Sequence, residues 1–171
     1  MKLKELKTHR ACMEILQLYG KELINSPKVQ RQKEFIQHGK VTVYEHCINV
    51  AYMSILLMKL LKINFDKKSV VRGALLHDYF LYDWHIPSSI NKLHGFTHAR
   101  TALKNATRDF ELNDVEKDII LKHMFPLNPA LPRFKESLLV CIADKICAVY
   151  ETFSIPIIRT SKVGGRSYVN S

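Results

Sequence analysis

The sequence predicts an all-α fold, a single-domain helical bundle, and three observations support this prediction. Apolar residues recur at helical spacing along most of the 171 residues. Only six glycines and six prolines interrupt the chain, which leaves long stretches suited to helices. The apolar fraction of 47% and the charged fraction of 25% are close to globular averages, so we expect residues 1–171 to bury one core.

Three helical stretches are predicted in the first third of the chain. Residues 4–19 carry apolar side chains on overlapping faces, and Gly20 is a plausible C-terminal stop. A short basic amphipathic stretch follows at about 28–38. The strongest pattern covers about 43–62, where apolar residues form a stripe along one face of a long helix.

The middle of the chain predicts a helix and then an irregular segment. Asn64 and Asp66 offer N-terminal caps for a helix at about 67–79, which contains the letters LLHD. Aromatic residues, a proline and two serines then indicate an irregular segment from Tyr79 to Gly95. Such a segment is long for a compact domain, which favours a functional role.

Three further helices are predicted in the remaining sequence. They cover about 96–108, 114–124 and 134–154, and Asn113 or Asp114 caps the second of them. The letters FPLNPALP contain three prolines and therefore predict a loop before the last helix. The final residues resemble a frayed tail.

Cysteine usage and hydropathy indicate a reducing, aqueous environment. The four cysteines form no C-x-x-C pair, so we expect reduced thiols that pack as small hydrophobic groups. The first ten residues lack the apolar core of a signal peptide, and no apolar run approaches the ~18 residues of a membrane span. We expect a cytoplasmic protein with no membrane partner, as a monomer or a homodimer.

The formal net charge of +10 favours anionic partners. A small phosphorylated substrate and a nucleic acid both fit this charge. A basic surface that is simply solvated fits it equally well, so charge alone does not choose among them.

Two histidines and two aspartates stand in strongly apolar helical settings. His77 and Asp78 are adjacent at the end of RGALLHD, Asp144 lies within SLLVCIADKICAVY, and His46 begins the long apolar stripe. A buried carboxylate beside an imidazole is costly unless a charged group compensates for it. A divalent metal is the usual compensation, and this mixed nitrogen and oxygen donor set suits Fe, Mn, Co, Zn or Mg.

These four residues resemble the H…HD…D pattern of the HD superfamily of metal-dependent phosphohydrolases. The resemblance covers about residues 38–154, preceded by a short basic helical extension. It implies an HD-type helical bundle in which His46, His77, Asp78 and Asp144 hold a divalent ion, with Asp78 also at the catalytic centre.

Some HD proteins hold two metals and use two further histidines between the HD pair and the final aspartate. His98 and His123 occupy that interval, and the resemblance then implies that Asp78 bridges two ions. His94 competes with His98, which we favour because Ala99 and Ala102 place it on an apolar face. Whether one ion or two bind stays open.

The same resemblance indicates further catalytic and substrate-binding candidates. HD hydrolases commonly place an acidic or basic residue shortly after the doublet, and Asp83 is the natural candidate to activate water or protonate the leaving group. Candidates for substrate contact, each with an ordinary structural role as its alternative, are His38, Arg72, Trp84, His94 and Lys145.

The predicted function is a metal-dependent phosphohydrolase that attacks a phosphomonoester or phosphodiester, a nucleotide above all, through a water that the metal activates. The marks of the cyclic-di-GMP and alarmone hydrolases, a GYP signature and an ED pair, are missing. Two alternatives stay open: a diiron HD-type oxygenase, and a non-catalytic module that binds nucleotides or RNA.

Overall fold

The computed structural model of the protein describes residues 3–83, 94–153, 155, 157 and 158. Within these residues the chain forms seven α-helices, one 3₁₀ turn and a single two-stranded sheet, so the predicted all-α fold is confirmed. The elements, in chain order, are α1 (Leu3–Asn25), α2 (Pro27–Gln30), the 3₁₀ turn (Arg31–Glu34), β1 (Ile36–His38), β2 (Val41–Thr42), α3 (Val43–Leu61), α4 (Lys67–Leu76), α5 (His94–Asp109), α6 (Asp114–Lys122) and α7 (Lys135–Thr152).

Helix α3 lies at the centre of the bundle and packs against α1, α4 and α7. Thr42 and Glu45 form a capping box that starts it, and Lys62 ends it in the left-handed conformation with a φ of 56°. Most of its residues are buried, which explains why its apolar stripe was broad enough to be read from the sequence.

Two helix packings depend on glycines that leave no room for a side chain. A Cβ on Gly73 would lie 2.6 Å from Cδ1 of Ile119, so α4 and α6 approach more closely than alanine would permit. Because His77 follows α4 and His123 follows α6, this close approach helps to bring the two imidazoles together.

The prediction that Gly20 ends the first helix was wrong, because α1 continues for five more residues to Asn25. A Cβ on Gly20 would lie 2.9 Å from Cδ1 of Leu75, so this glycine permits close packing against α4. Leu16, Leu23 and Ile24 are fully buried in the same core. The predicted short extension is therefore a long helix that belongs to the bundle.

The amphipathic stretch at 28–38 is not one helix, which corrects the second prediction. It begins as α2 and the 3₁₀ turn and ends in β1, which pairs antiparallel with β2. Gly39 makes the turn between the strands with a φ of 58°. The resulting hairpin places Gln37 and His38 beside the carboxylates described below.

The other predicted helices are present with small differences in their ends. Helix α4 begins after Asp66, whose side chain accepts hydrogen bonds from the backbone of Lys68 and Ser69, and stops at Leu76. The four cysteines are free and buried. Among the described helices, none is both long enough and apolar enough to cross a membrane.

Candidate metal centre

Five helices carry to one buried point the six residues that the sequence indicated as metal ligands. His46 lies in α3, His98 in α5 and Asp144 in α7, while His77 and Asp78 follow the end of α4 and His123 follows α6. Each of the six is at most 8% exposed: His46, His77, Asp78, His98, His123 and Asp144.

Two histidines face one oxygen of Asp78, and Asp144 lies beside the same two histidines. Oδ2 of Asp78 lies 3.4 Å from Nε2 of His77 and 3.8 Å from Nε2 of His46. Oδ1 of Asp144 lies 3.0 Å from Nε2 of His46 and 3.7 Å from Nε2 of His77. We call His46, His77 and Asp144, together with Oδ2 of Asp78, the His46 side of the site.

The second oxygen of Asp78 faces a different pair of imidazoles. Oδ1 lies 3.3 Å from Nε2 of His98 and 3.4 Å from Nε2 of His123. We call these two histidines and Oδ1 the His98 side. One carboxylate therefore presents one oxygen to each side, which is the arrangement of a carboxylate that bridges two ions.

His77 and His123 are oriented by the same local device. Each is the C-cap of its helix, and each directs Nδ1 to the carbonyl three residues earlier, 2.8 Å away, in Ala74 and Ile120 respectively. A carbonyl only accepts, so Nδ1 carries the proton and Nε2 points to the site. Adjacent side chains within a helix diverge, so they could not both face one ion. Because α4 ends at Leu76, His77 and Asp78 lie past the regular helix and can face the same point.

Among the six candidate ligands, two buried atoms make no hydrogen bond within the described part of the chain. They are Nε2 of His77, on the His46 side, and Oδ1 of Asp78, on the His98 side. Buried polar atoms without a partner are rare and require an explanation. Ligand atoms around an ion at about 2.1 Å lie about 3.0 to 3.5 Å apart, close to the separations found here. The residues fit a divalent cation.

Groups of three ligand atoms that lie within 4.8 Å of one another mark the same places. Among the described residues these groups are His46, His77 and Asp144; His77, Asp78 and His123; and His38, His46 and Glu151. The first two correspond to the His46 side and to the Asp78 region between the two sides.

The electrostatics of the site also favour a cation. Burial disfavours a charged His46, yet hydrogen bonds to Asp144 and Glu151 outweigh it and raise its pKa to about 10. Burial likewise opposes ionised Asp78, but His77 and the other imidazoles hold the pKa of this carboxyl well below its usual range. Protons on imidazoles thus balance the buried carboxylates, and a divalent ion supplies the same positive charge.

The net pKa shift of His123 is opposite to that of His46. Burial lowers the pKa of this imidazole because the nearby charge of Asp78 does not outweigh desolvation. Nε2 of His123 lies 2.9 Å from Nε2 of His98. One of these two nitrogens therefore donates to the other, so the two imidazoles contact each other directly at this point.

Glu151 lies beside the ligands and was not predicted from the sequence. Glu151 is 3% exposed, and its Oε2 lies 2.7 Å from Nδ1 of His46, while its Oε1 accepts from Nδ2 of Asn49 at 2.8 Å. Glu151 follows Asp144 by seven residues, so both lie on one face of α7. That spacing, with Asn49 one turn after His46, was the available sequence signal.

The hairpin places two more residues at the site: Gln37, which was not predicted from the sequence, and His38, which was predicted as a substrate contact. Nε2 of Gln37 donates to Oδ2 of Asp78 at 2.7 Å. The half-buried ring of His38 lies edge-on to His46, with 5.5 Å between ring centroids, and burial lowers the pKa of His38. His38 thus lies next to the centre, and its contact with the substrate stays a prediction.

The two basic candidates differ in position. Nζ of Lys145 donates to the carbonyl of His123 at 2.8 Å and lies 3.6 Å from Oδ2 of Asp144, with its side chain 43% exposed. Arg72 instead pairs with Glu116 at 2.7 Å and donates to the carbonyl of Glu111. This is the structural role that the sequence left open for Arg72.

The remaining candidates lie at or beyond the edge of the described structure. Asp83 is half-buried at the end of the segment that follows the doublet. Trp84 and the side chain of His94 lie outside the described residues, although α5 begins at His94. Their roles stay predictions.

A helical bundle with a buried cluster of His and Asp side chains is an arrangement that can hold a divalent ion. A model of the HD domain family matches residues 43–149, which is more than half of the chain. The chain therefore belongs to the HD domain family, as the H…HD…D resemblance predicted. No curated protein and no solved structure matches it. HD domains form a superfamily of metal-dependent hydrolases and bind divalent metals, and the buried cluster can hold one.

Proposed function

We propose that the protein is a phosphohydrolase with two divalent ions, acting on a phosphomonoester or phosphodiester, above all of a nucleotide. The observation that carries the proposal is Asp78, whose two oxygens face two separate groups of imidazoles at 3.3 to 3.8 Å. When bound, the ions would lower the pKa of a coordinated water, which then serves as the nucleophile, and would stabilise negative charge on the phosphoryl oxygens.

The protein groups around this point have distinct tasks in the proposed reaction. His46, His77 and Asp144 hold one ion with Asp78, and His98 and His123 hold the other. Lys145 has a half-exposed ammonium group beside Asp144 and neutralises negative charge on the substrate phosphate.

Two residues on neighbouring segments complete the proposed site. His38 contacts the substrate from the hairpin, next to His46. Asp83 transfers a proton to or from the reacting oxygens, in agreement with its place shortly after the doublet. The formal net charge of +10 favours the approach of an anionic substrate.

The test compares wild type with Asp78→Ala. Both proteins are stripped of metal, reloaded separately with Mn, Fe, Co, Zn and Mg, and assayed on a panel of nucleotides and generic phosphoesters. We expect two ions per wild-type chain and hydrolysis with at least one metal. Asp78→Ala should lose both ions and turnover. Asp118→Asn, a buried carboxylate that accepts from the backbone of Arg133, is the matched control and should keep both.

Three results would contradict the proposal. Hydrolysis that survives in metal-free Asp78→Ala would show that the cluster is not the catalytic centre. Turnover that requires dioxygen would favour the oxygenase. Absence of turnover throughout the panel, with steeply salt-dependent RNA binding that Asp78→Ala retains, would favour the non-catalytic module.

A further inference from the structure

The hydrogen bond between His46 and Glu151 differs from those that orient His77 and His123. His77 and His123 donate Nδ1–H to carbonyls of their own helices. His46 instead donates Nδ1–H to a carboxylate that follows it by 105 residues, at 2.7 Å. Both side chains are almost completely buried, at 0% and 2% exposed, so water does not compete for this bond.

This bond decides which nitrogen of His46 serves the site. A carboxylate oxygen accepts only, so the proton of the bond is on Nδ1, and Nε2 is the nitrogen turned to Asp144 and Asp78. A negative acceptor on one ring nitrogen also makes the other nitrogen a stronger electron donor. A neutral carbonyl, as used by His77, does this less strongly.

Glu151 is itself held in place. Its second oxygen accepts from Nδ2 of Asn49, which lies one turn after His46 on α3. The Glu151 side chain therefore connects α7 to two residues on one face of α3. Glu151 lies beyond the stretch at 43–149 that the family model matches.

We infer that Glu151 is a positioning residue that fixes the ring and tautomer of His46 and strengthens Nε2 as a metal ligand. This inference rests on the proposed metal binding, although not on the reaction. Asn49 has the subordinate task of holding the Glu151 carboxylate in the orientation that His46 needs.

The central experiment measures the affinity of Co²⁺ and Mn²⁺ for Glu151→Gln by titration, with the visible spectrum of Co²⁺ as a second readout. The amide oxygen of glutamine accepts from only one of its two former donors, and its NH₂ group opposes the other. We expect affinity on the His46 side to fall by roughly 10- to 100-fold, as for other residues that orient metal ligands. The Co²⁺ spectrum should change because the donor strength of His46 changes.

A double variant separates hydrogen bonding from charge. In Asn49→Asp with Glu151→Gln, the glutamine NH₂ donates to the new carboxylate, so its oxygen again accepts from His46. The negative charge then lies on the side chain at position 49, separated from the His46 imidazole by the glutamine amide. We expect this variant to bind Co²⁺ several-fold more tightly than Glu151→Gln alone. An affinity no higher than that of the single variant would contradict the inference.

Glu116→Gln is the matched control, because it removes a buried carboxylate whose partner is Arg72, outside the site. It should lower the melting temperature yet leave both Co²⁺ affinity and spectrum unchanged. Equal loss of affinity in both variants would reduce Glu151 to a structural role and overturn the inference. Unchanged affinity and spectrum in Glu151→Gln would overturn it also.

The failure of the proposed function is distinguishable from the failure of this inference. If wild type binds Co²⁺ but hydrolyses nothing in the panel, the reaction is wrong and the Glu151 test stands unaffected. In metal-free protein, ¹⁵N chemical shifts of His46 should show a protonated Nδ1, and they should change in Glu151→Gln but not in Glu116→Gln. Identical His46 shifts in Glu151→Gln and wild type would contradict the inference.

Discussion

The His46 side and the His98 side share Asp78 but differ in charge and support. The His46 side has a second carboxylate, Asp144, and its first histidine donates to the buried Glu151. Within the described residues, the His98 side places only two imidazoles against Asp78. A divalent ion is attracted more strongly by two carboxylates than by one. The comparison teaches that the two sides should bind their ions with unequal affinity, the His46 side more tightly.

The largest expected effect follows from neutralising the carboxylate that only the His46 side has. In Asp144→Asn the tighter ion loses one carboxylate charge, and removing one partner of a buried charge pair costs about 3 to 5 kcal/mol, on the order of a 10³-fold loss of affinity. Calorimetric titration with Mn²⁺ measures this. If Asp144→Asn weakened both binding steps equally, the assignment of Asp144 to one side would be wrong.

The next largest effect concerns His98, on the other side of Asp78. His98→Ala should reduce the stoichiometry from two ions to one and lower turnover at least about 100-fold, since residues that merely orient ligands contribute roughly 10- to 100-fold. The affinity for the remaining ion should stay within about threefold of wild type. His9→Ala, at a histidine that contacts Tyr52, is the control with both ions retained. Elemental analysis that still finds two tightly bound ions in His98→Ala would contradict the comparison.

The smallest expected effect is a difference between the two sides in how ion affinity depends on pH. Asp144 and Glu151 raise the pKa of His46 to about 10, so an ion bound at Nε2 must displace a proton below that pH. Burial opposes a charged His77, but the charge of Asp78 raises its pKa well above its usual range as well, so binding displaces a proton there too. Affinity on the His46 side should therefore rise at least about tenfold per pH unit between pH 7 and 9. Burial lowers the pKa of His123, which carries no such proton in this range, so the weaker step should depend less on pH. Equal slopes for the two binding steps in titrations at pH 7, 8 and 9 would argue against the difference.

Four of the six clustered residues could be predicted because they break a pattern, whereas His98 and His123 were indicated by the resemblance to HD proteins that hold two metals. His46 and Asp144 are polar positions within strongly apolar helical stretches, and such positions are unusual unless a charge is balanced. The His77-Asp78 doublet, placed between His46 and Asp144, gave the H…HD…D order that indicated the family. Most helices were likewise visible, because apolar spacing and caps such as Asp66 and Asn113 agree with each other.

The residues that were missed have weaker sequence signals. Glu151 is one charged residue near the end of a helix, where exposed charges are common, and only its contact with α3 shows its burial. Gln37 lies in a strand of three residues, too short for a periodic pattern. Gly20 looked like a helix end because its role depends on Leu75, which is distant in the sequence. Each of these depends on tertiary contacts that local patterns do not contain.

The helix ends at His77 and His123 have a consequence for protein engineering. The rings of His77 and His123 are oriented by carbonyls three residues earlier in the same helix, so we expect the orientation to be kept when such a helix end is moved. Residues 74–77 and 120–123 are therefore four-residue modules to test at the ends of helices in an unrelated scaffold. His46 is not transplantable in this way, because its orientation depends on a second helix that must be transferred with it.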